Sequence, residues 1–259
     1  MTSFKKTIWC LFAHPDDEFF VLNRISDYIQ AKHQIHCLYT TTGVKIEMDP
    51  YQRIKETKTV LSKLGMSPEK IISLGIEENI PLSSCYLSLN KVYEACKKRI
   101  ETQPPHEIMI PTWEGGHVDH DATHLIGKAL SLSFPDVQTV TEFPLYNSFG
   151  LPHPFFRVMT FPIKNSAINF RRIPWIQAMK NFLKVRFYSS QWKTFVGLGP
   201  GLFFRLVLQR KEPTLNSFGF FRDYTQRPHH GKLFYESRFK VTFQNFLAGT
   251  KPFIRTFLS

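Results

Sequence analysis

Short apolar runs without helical periodicity recur in the first half of the chain, at Thr7-Ile8-Trp9-Cys10-Leu11-Phe12 and at Glu107-Ile108-Met109-Ile110-Pro111. Each stops where polar residues begin, and runs of this length read as buried strands. Others lie near residues 35–40, 70–74 and 138–145. Between them come amphipathic stretches near 18–32, 50–64, 88–102 and 119–132, which read as helices. Strand and helix therefore alternate, the order of βαβ units. The predicted fold is α/β: a doubly wound, mostly parallel, Rossmann-like sheet with helices on both faces.

Two of these strands end in segments rich in imidazole and carboxylate, Ala13-His14-Pro15-Asp16-Asp17-Glu18 and Gly115-Gly116-His117-Val118-Asp119-His120. Such groups suit Zn²⁺, and a catalytic zinc takes three protein ligands while leaving a position for water. In an open parallel sheet the ligand crevice lies at the carboxyl ends of the strands, so the segments can meet there despite their separation. Adjacent aspartates before a helix also serve as caps that offset its dipole. The pair of segments, each at a strand end, favours the metal. His124 shares a helix face with His120, and is expected beside the ligands rather than among them.

His14-Pro15-Asp16-Asp17-Glu18 followed by His117-x-Asp119-His120 resembles the signature of the LmbE-like (PIG-L) superfamily of zinc-dependent N-deacetylases. The resemblance includes Thr41-Thr42-Gly43, Arg53-x-x-Glu56 and Leu64-Gly65, and spans roughly the first 150 residues; Tyr235-Glu236-x-x-Phe239 adds a faint echo. It implies His14, Asp17 and His120 as zinc ligands and Asp16 as the general base. It further implies that His117 stabilises the oxyanion or protonates the leaving amine, that Asp119 orients His117, and that Arg53 grips substrate. Arg53 also stands at the spacing of a simple ion pair with Glu56. Two positions depart from the family pattern: Val118 stands where many relatives have proline, and Gly115 where some have a tyrosine. The second leaves His117 to work alone.

At 259 residues the chain can bury one sizeable core. Residues 1–150 are expected to form the catalytic layer, and 151–259 a basic, Phe-rich segment completing the domain, joined at Gly150-Leu151-Pro152-His153-Pro154. Charge is divided sharply between the two. Residues 1–150 hold 15 Lys and Arg against 18 Asp and Glu, whereas 151–259 hold 18 against 3, together with 18 of the 25 phenylalanines. Such a segment couples anion attraction to apolar anchors. It suits a peripheral contact with an anionic membrane or a phosphate-bearing or lipid-linked substrate, unless it merely completes the core. Nucleic acid is disfavoured, since no zinc-finger spacing or aromatic-glycine signature is present.

The four cysteines form no C-x-x-C pair, and read as small core residues in a reducing compartment. The apolar run after Lys5-Lys6 is cut short by His14 and the two aspartates, so no secretory signal is expected and the location reads as cytoplasmic, peripheral to the membrane at most. The function these features favour is zinc-dependent removal of an acetyl group from an N-acetylglucosamine-type conjugate. Two alternatives are hydrolysis of another amide, in a sugar-thiol or antibiotic-type conjugate, and a non-catalytic basic protein on a degenerate hydrolase fold.

Overall fold

The computed structural model describes residues 5–163 and 166–259. Five parallel strands form one side of the sheet: β1 (Thr7–Phe12), β2 (Gln34–Tyr39), β3 (Ile71–Ile72), β4 (Glu107–Pro111) and β5 (Thr139–Phe143). They stand in the order β3-β2-β1-β4-β5. The chain winds outward from β1 to β3 and then crosses back to place β4 on the other side of β1. This reversal opens a crevice above the carboxyl ends of β1 and β4. Both polar segments emerge there.

Helices α1 (Leu22–Gln30), α2 (Tyr51–Ser62), α3 (Leu74–Glu77), α4 (Leu89–Glu101) and α5 (Val118–Ser133) lie between the strands in sequence. Successive side chains of a strand point to opposite faces. On β1, Trp9 and Leu11 join a core with α4 and α5, while Ile8, Cys10 and Phe12 join a second core with α1 and α2. Burial on both faces is why the run is apolar throughout rather than alternating. All four cysteines are buried free thiols. The strand expected near 70–74 contracts to two residues because the chain turns at Ser73 into α3. The helix expected from residue 18 opens as a 3₁₀ turn, Asp17–Val21, before α1. The Asp17 carboxylate bonds backward to the N–H groups of Ala13 and His14, and no side chain caps this turn.

Beyond β5 the chain forms the hairpin β6 (Tyr146–Asn147) and β7 (Arg157–Val158), whose loop contains the 150–154 stretch. Then follow β8 (Ile168–Arg172), α6 (Trp175–Phe182) and α7 (Trp192–Leu202), the last running into a π-helical turn, Phe203–Leu208. After these come β9 (Lys211–Asn216), α8 (Phe234–Arg238) and α9 (Phe243–Phe257). β9 pairs antiparallel with β5, and β8 with β9, extending the sheet to seven strands. α9 joins the core on the α4–α5 face, and α6 and α7 join the other. The strands and helices expected from the sequence stop at residue 145, so none of these later elements is among them. β8 reads Ile-Asn-Phe-Arg-Arg and lies exposed at the sheet edge, and β9 buries Glu212 through a pair with Arg24 at 3.3 Å. Among the described residues no helix is long and apolar enough to cross a membrane.

Candidate metal centre and active site

Asp17 is fixed before any ligand arrives. Its Oδ2 accepts the backbone N–H groups of Ala13 and His14 at 3.0 and 2.8 Å, which leaves Oδ1 aimed into the crevice. There it lies 3.2 Å from Nε2 of His120 and 3.7 Å from Nδ1 of His14. Ligand atoms about 2.0–2.2 Å from a tetrahedral metal stand roughly 3.3–3.6 Å apart, so these separations suit one small dication. The potential ligand atoms of His14, Asp17 and His120 all lie within 4.8 Å of one another, and the three residues are buried.

A second grouping, His14, His117 and Asp119, meets the same distance limit. Hydrogen bonding favours the first. Asp119 Oδ2 accepts the N–H of Ser83 at 2.6 Å and Oδ1 that of Cys85 at 3.1 Å, while Oδ2 also lies 3.1 Å from Nε2 of His14. A metal-ligating histidine typically donates its other ring N–H to a carboxylate. Asp119 meets that need and leaves the Nδ1 lone pair of His14 facing Asp17. Burial opposes a charge on His14, but Asp17 and Asp119 outweigh it and lift its pKa to about 9. Burial likewise opposes charge on Asp17, yet His120 and His14 hold it well below the usual carboxylate range. A cluster that draws in a proton so strongly has an unmet demand for positive charge, which a dication meets with proton release.

His117 caps α5, its Nδ1 accepting the backbone N–H of Asp119 at 3.1 Å. That bond puts the proton on Nε2, which is buried without a hydrogen-bond partner among the described residues. Burial, reinforced by His14 and His120, drives its pKa well below the ordinary value, so it is a neutral donor. The Asp119 carboxylate, expected beside His117, is 3.7 Å from its Nδ1 and closer to His14.

Asp16 adopts φ 125°, a conformation that costs a non-glycine residue strain and clusters at functional sites. Its N–H is tied to Glu18 Oε2 at 2.9 Å, and Glu18 in turn accepts the hydroxyl of Tyr188 at 2.7 Å. Burial lifts the Asp16 pKa to about 7, with Arg53 as the main opposing influence. Arg53 Nη2 pairs with Asp16 Oδ2 at 2.8 Å, and its guanidinium also donates to the carbonyls of Pro15 and Gly43. Gly43 has φ 69°, and a Cβ there would stand 2.8 Å from Arg53 Nη1. Arg53 thus braces the Asp16 loop from inside the pocket it lines. Glu56 does not pair with it, accepting instead from Ser189 and Ser190 at the foot of α7.

The pocket has a volume of about 150 Å³. Besides the motif residues it is walled by Tyr146, by Phe195 and Leu198 of α7, and by Phe239, whose ring lies 4.3 Å from that of His117. Sequence reasoning passed over the first three. Tyr146 sits edge-on to His120 at 5.4 Å, held by buried Glu114, which accepts the N–H groups of Leu145 and Tyr146 at 2.9 and 3.0 Å. A tyrosine therefore reaches this pocket from β6 although Gly115 stands in the second motif. Helical spacing of Phe195, Leu198 and Leu202 is the one sequence signal that marks the α7 wall. His124 lies outside both metal groupings: it bonds the Pro111 carbonyl at 2.8 Å and Tyr224 Oη at 3.0 Å, and burial pushes its pKa down to about 3.

Residues 9–131 match the family described as PIG-L: GlcNAc-PI de-N-acetylase. No curated sequence matches the chain. Among solved structures, the zinc-inhibited form of teicoplanin deacetylase Orf2 superposes with a TM-score of 0.63 at 14% identity, covering 81% of this chain and 97% of its own. N,N'-diacetylchitobiose deacetylase from Pyrococcus horikoshii, complexed with an inhibitor, gives 0.56 at 14% identity over 76% and 75%. A conserved protein from Thermus thermophilus gives 0.58 at 16% identity over 86% and 99%. At such identities the likeness establishes a shared fold.

Proposed function

Since residues 9–131 make this chain a member of the PIG-L (LmbE-like) superfamily, we propose that it is a zinc-dependent N-deacetylase hydrolysing the acetamide of an N-acetylated amino-sugar conjugate. The observation that carries this reading is the convergence of His14, Asp17 and His120 on one point, with Asp16 and His117 lining the same pocket. Deacetylase activity named for structural neighbours supports it.

Zinc held by the three ligands would supply electrophilic polarisation of the amide carbonyl and acidification of water. The chain's own groups do the rest. Asp16, poised near neutral pH, takes the proton from the attacking water. The Nε2–H of His117 donates to the oxygen on which charge develops, and it needs no reorganisation to do so. As the C–N bond breaks, the proton gained by Asp16 passes to the amine nitrogen, leaving acetate and a free amino sugar. A pocket of about 150 Å³ takes an acetamide group, and the rest of the substrate projects from it.

The test is incubation of the zinc-loaded protein with N-acetylglucosamine conjugates, free, phosphorylated and lipid-linked. The expected result is acetate release, with exchange of one acetyl for hydrogen in the mass spectrum and loss of activity on chelation. Turnover that survives complete removal of metal contradicts the proposal.

A further inference from the structure

From Phe143 to Lys211 the chain holds no Asp or Glu but eleven Lys and Arg. Within this stretch, α7 and its π-helical turn carry two apolar stripes. Phe195, Leu198, Leu202 and Leu206 face the core. Trp192, Val196, Phe204 and Leu208 recur at four- and eight-residue spacing and are at least half exposed, Val196 by 68%. A helix that is apolar all round is ordinarily buried, so the outer stripe lacks an apolar phase to meet it. α6 packs against this turn, with Phe182 stacked edgewise on Phe203 at 5.4 Å, and adds exposed Trp175 and Ile176. Lys180 is exposed on α6, and Lys193 on α7 reaches over the Trp192 ring at 5.7 Å.

We propose that the face built by α6, α7 and the π-helical turn docks on a bilayer surface containing anionic lipid, the outer stripe entering the interface while the lysines meet headgroup phosphates. Amphipathic elements with basic rims and Trp, Phe and Leu anchors bind in this way, and each cation near such a surface adds to the attraction. Charge argues against a second copy of the chain as the occupant, because it would bring two acid-free basic faces together. Val196 and Leu208, half of the stripe, give a nucleobase no ring to stack on, whereas an acyl interior takes all four side chains. The inner stripe of the same helix walls the active-site pocket through Phe195 and Leu198, so docking holds the pocket at the membrane. The inference is independent of the deacetylase reading, since binding is measured without turnover.

The experiment is co-sedimentation of the full chain with phosphatidylcholine vesicles, with and without phosphatidylglycerol. Binding is expected only with phosphatidylglycerol, and high salt should release only part of the protein because it screens charge and not apolar contact. Replacing Val196, Phe204 and Leu208 by Ser should weaken binding by about tenfold or more and make release by salt complete. If that variant unfolds, Val196→Glu alone carries the same prediction. The proposal is overturned if the wild type ignores anionic vesicles, if it binds neutral ones equally, or if both variants sediment as it does. A dimer that the triple substitution dissociates would assign the face to a second copy and overturn it too.

Discussion

Nε2 of His14 lies 3.1 Å from Oδ2 of Asp119, a residue 105 positions later, so the two polar segments are joined by a direct contact as well as by the ligand cluster. The contact decides which imidazole nitrogen of His14 is free for a metal. Asp119 is in turn pinned by the N–H groups of Ser83 and Cys85, which makes it an anchor rather than a mobile partner.

Asp119→Asn should therefore loosen the metal without removing a ligand. The expected fall in zinc affinity is about 10–100-fold, the usual consequence of losing a carboxylate that orients a ligating histidine. Competition with a chromophoric chelator measures it. Unchanged affinity combined with lost turnover would put Asp119 to work on His117 instead.

Asp16→Asn should keep the metal and lose about 10²–10⁴ in kcat, the range for a positioned proton-transfer group. His117→Ala should also keep the metal and lose on the order of 10²–10³, as for removal of an oxyanion donor. Metal analysis beside steady-state kinetics separates these variants from ligand substitutions.

The sign of the pH dependence follows from Asp16. Its carboxyl is lifted to about 7 chiefly by burial, and a base that already holds a proton cannot accept another. kcat/KM should thus fall about tenfold per pH unit on the acid side, with the limb at or below pH 7, since a bound dication lowers it further. Arg53 is the main influence holding Asp16 down, so Arg53→Gln should move the limb upward. A raised KM with an unmoved limb would show that Arg53 acts on substrate alone.

How much was legible in the sequence follows from where the chain leaves its strands. His14, Asp16 and Asp17 follow β1 directly and His117 and His120 follow β4, so an apolar run ending in polar residues was enough to put all five in one crevice. The parallel core was legible for the same reason, as burial on both faces leaves continuous apolar runs such as Ile8 to Phe12. The partner of Asp119 was not, because whether it meets His14 or His117 depends on the Ser83–Cys85 loop that pins it. Nor were Tyr146, Phe195 and Leu198, whose places depend on long-range ties: Glu114 holding the N–H of Tyr146, and Glu56 holding Ser190. β8 and β9 were hidden because an edge strand and a strand with a buried ion pair carry no apolar run.

In the proposed mechanism hydrolysis depends on a metal held by His14, Asp17 and His120. The most direct measurement is the zinc content of His120→Ala, determined alongside its acetate release from an N-acetylated amino sugar. The predicted result is that metal and activity disappear together while the circular dichroism of the folded chain is retained. Undiminished zinc in a folded His120→Ala protein would contradict the ligand assignment.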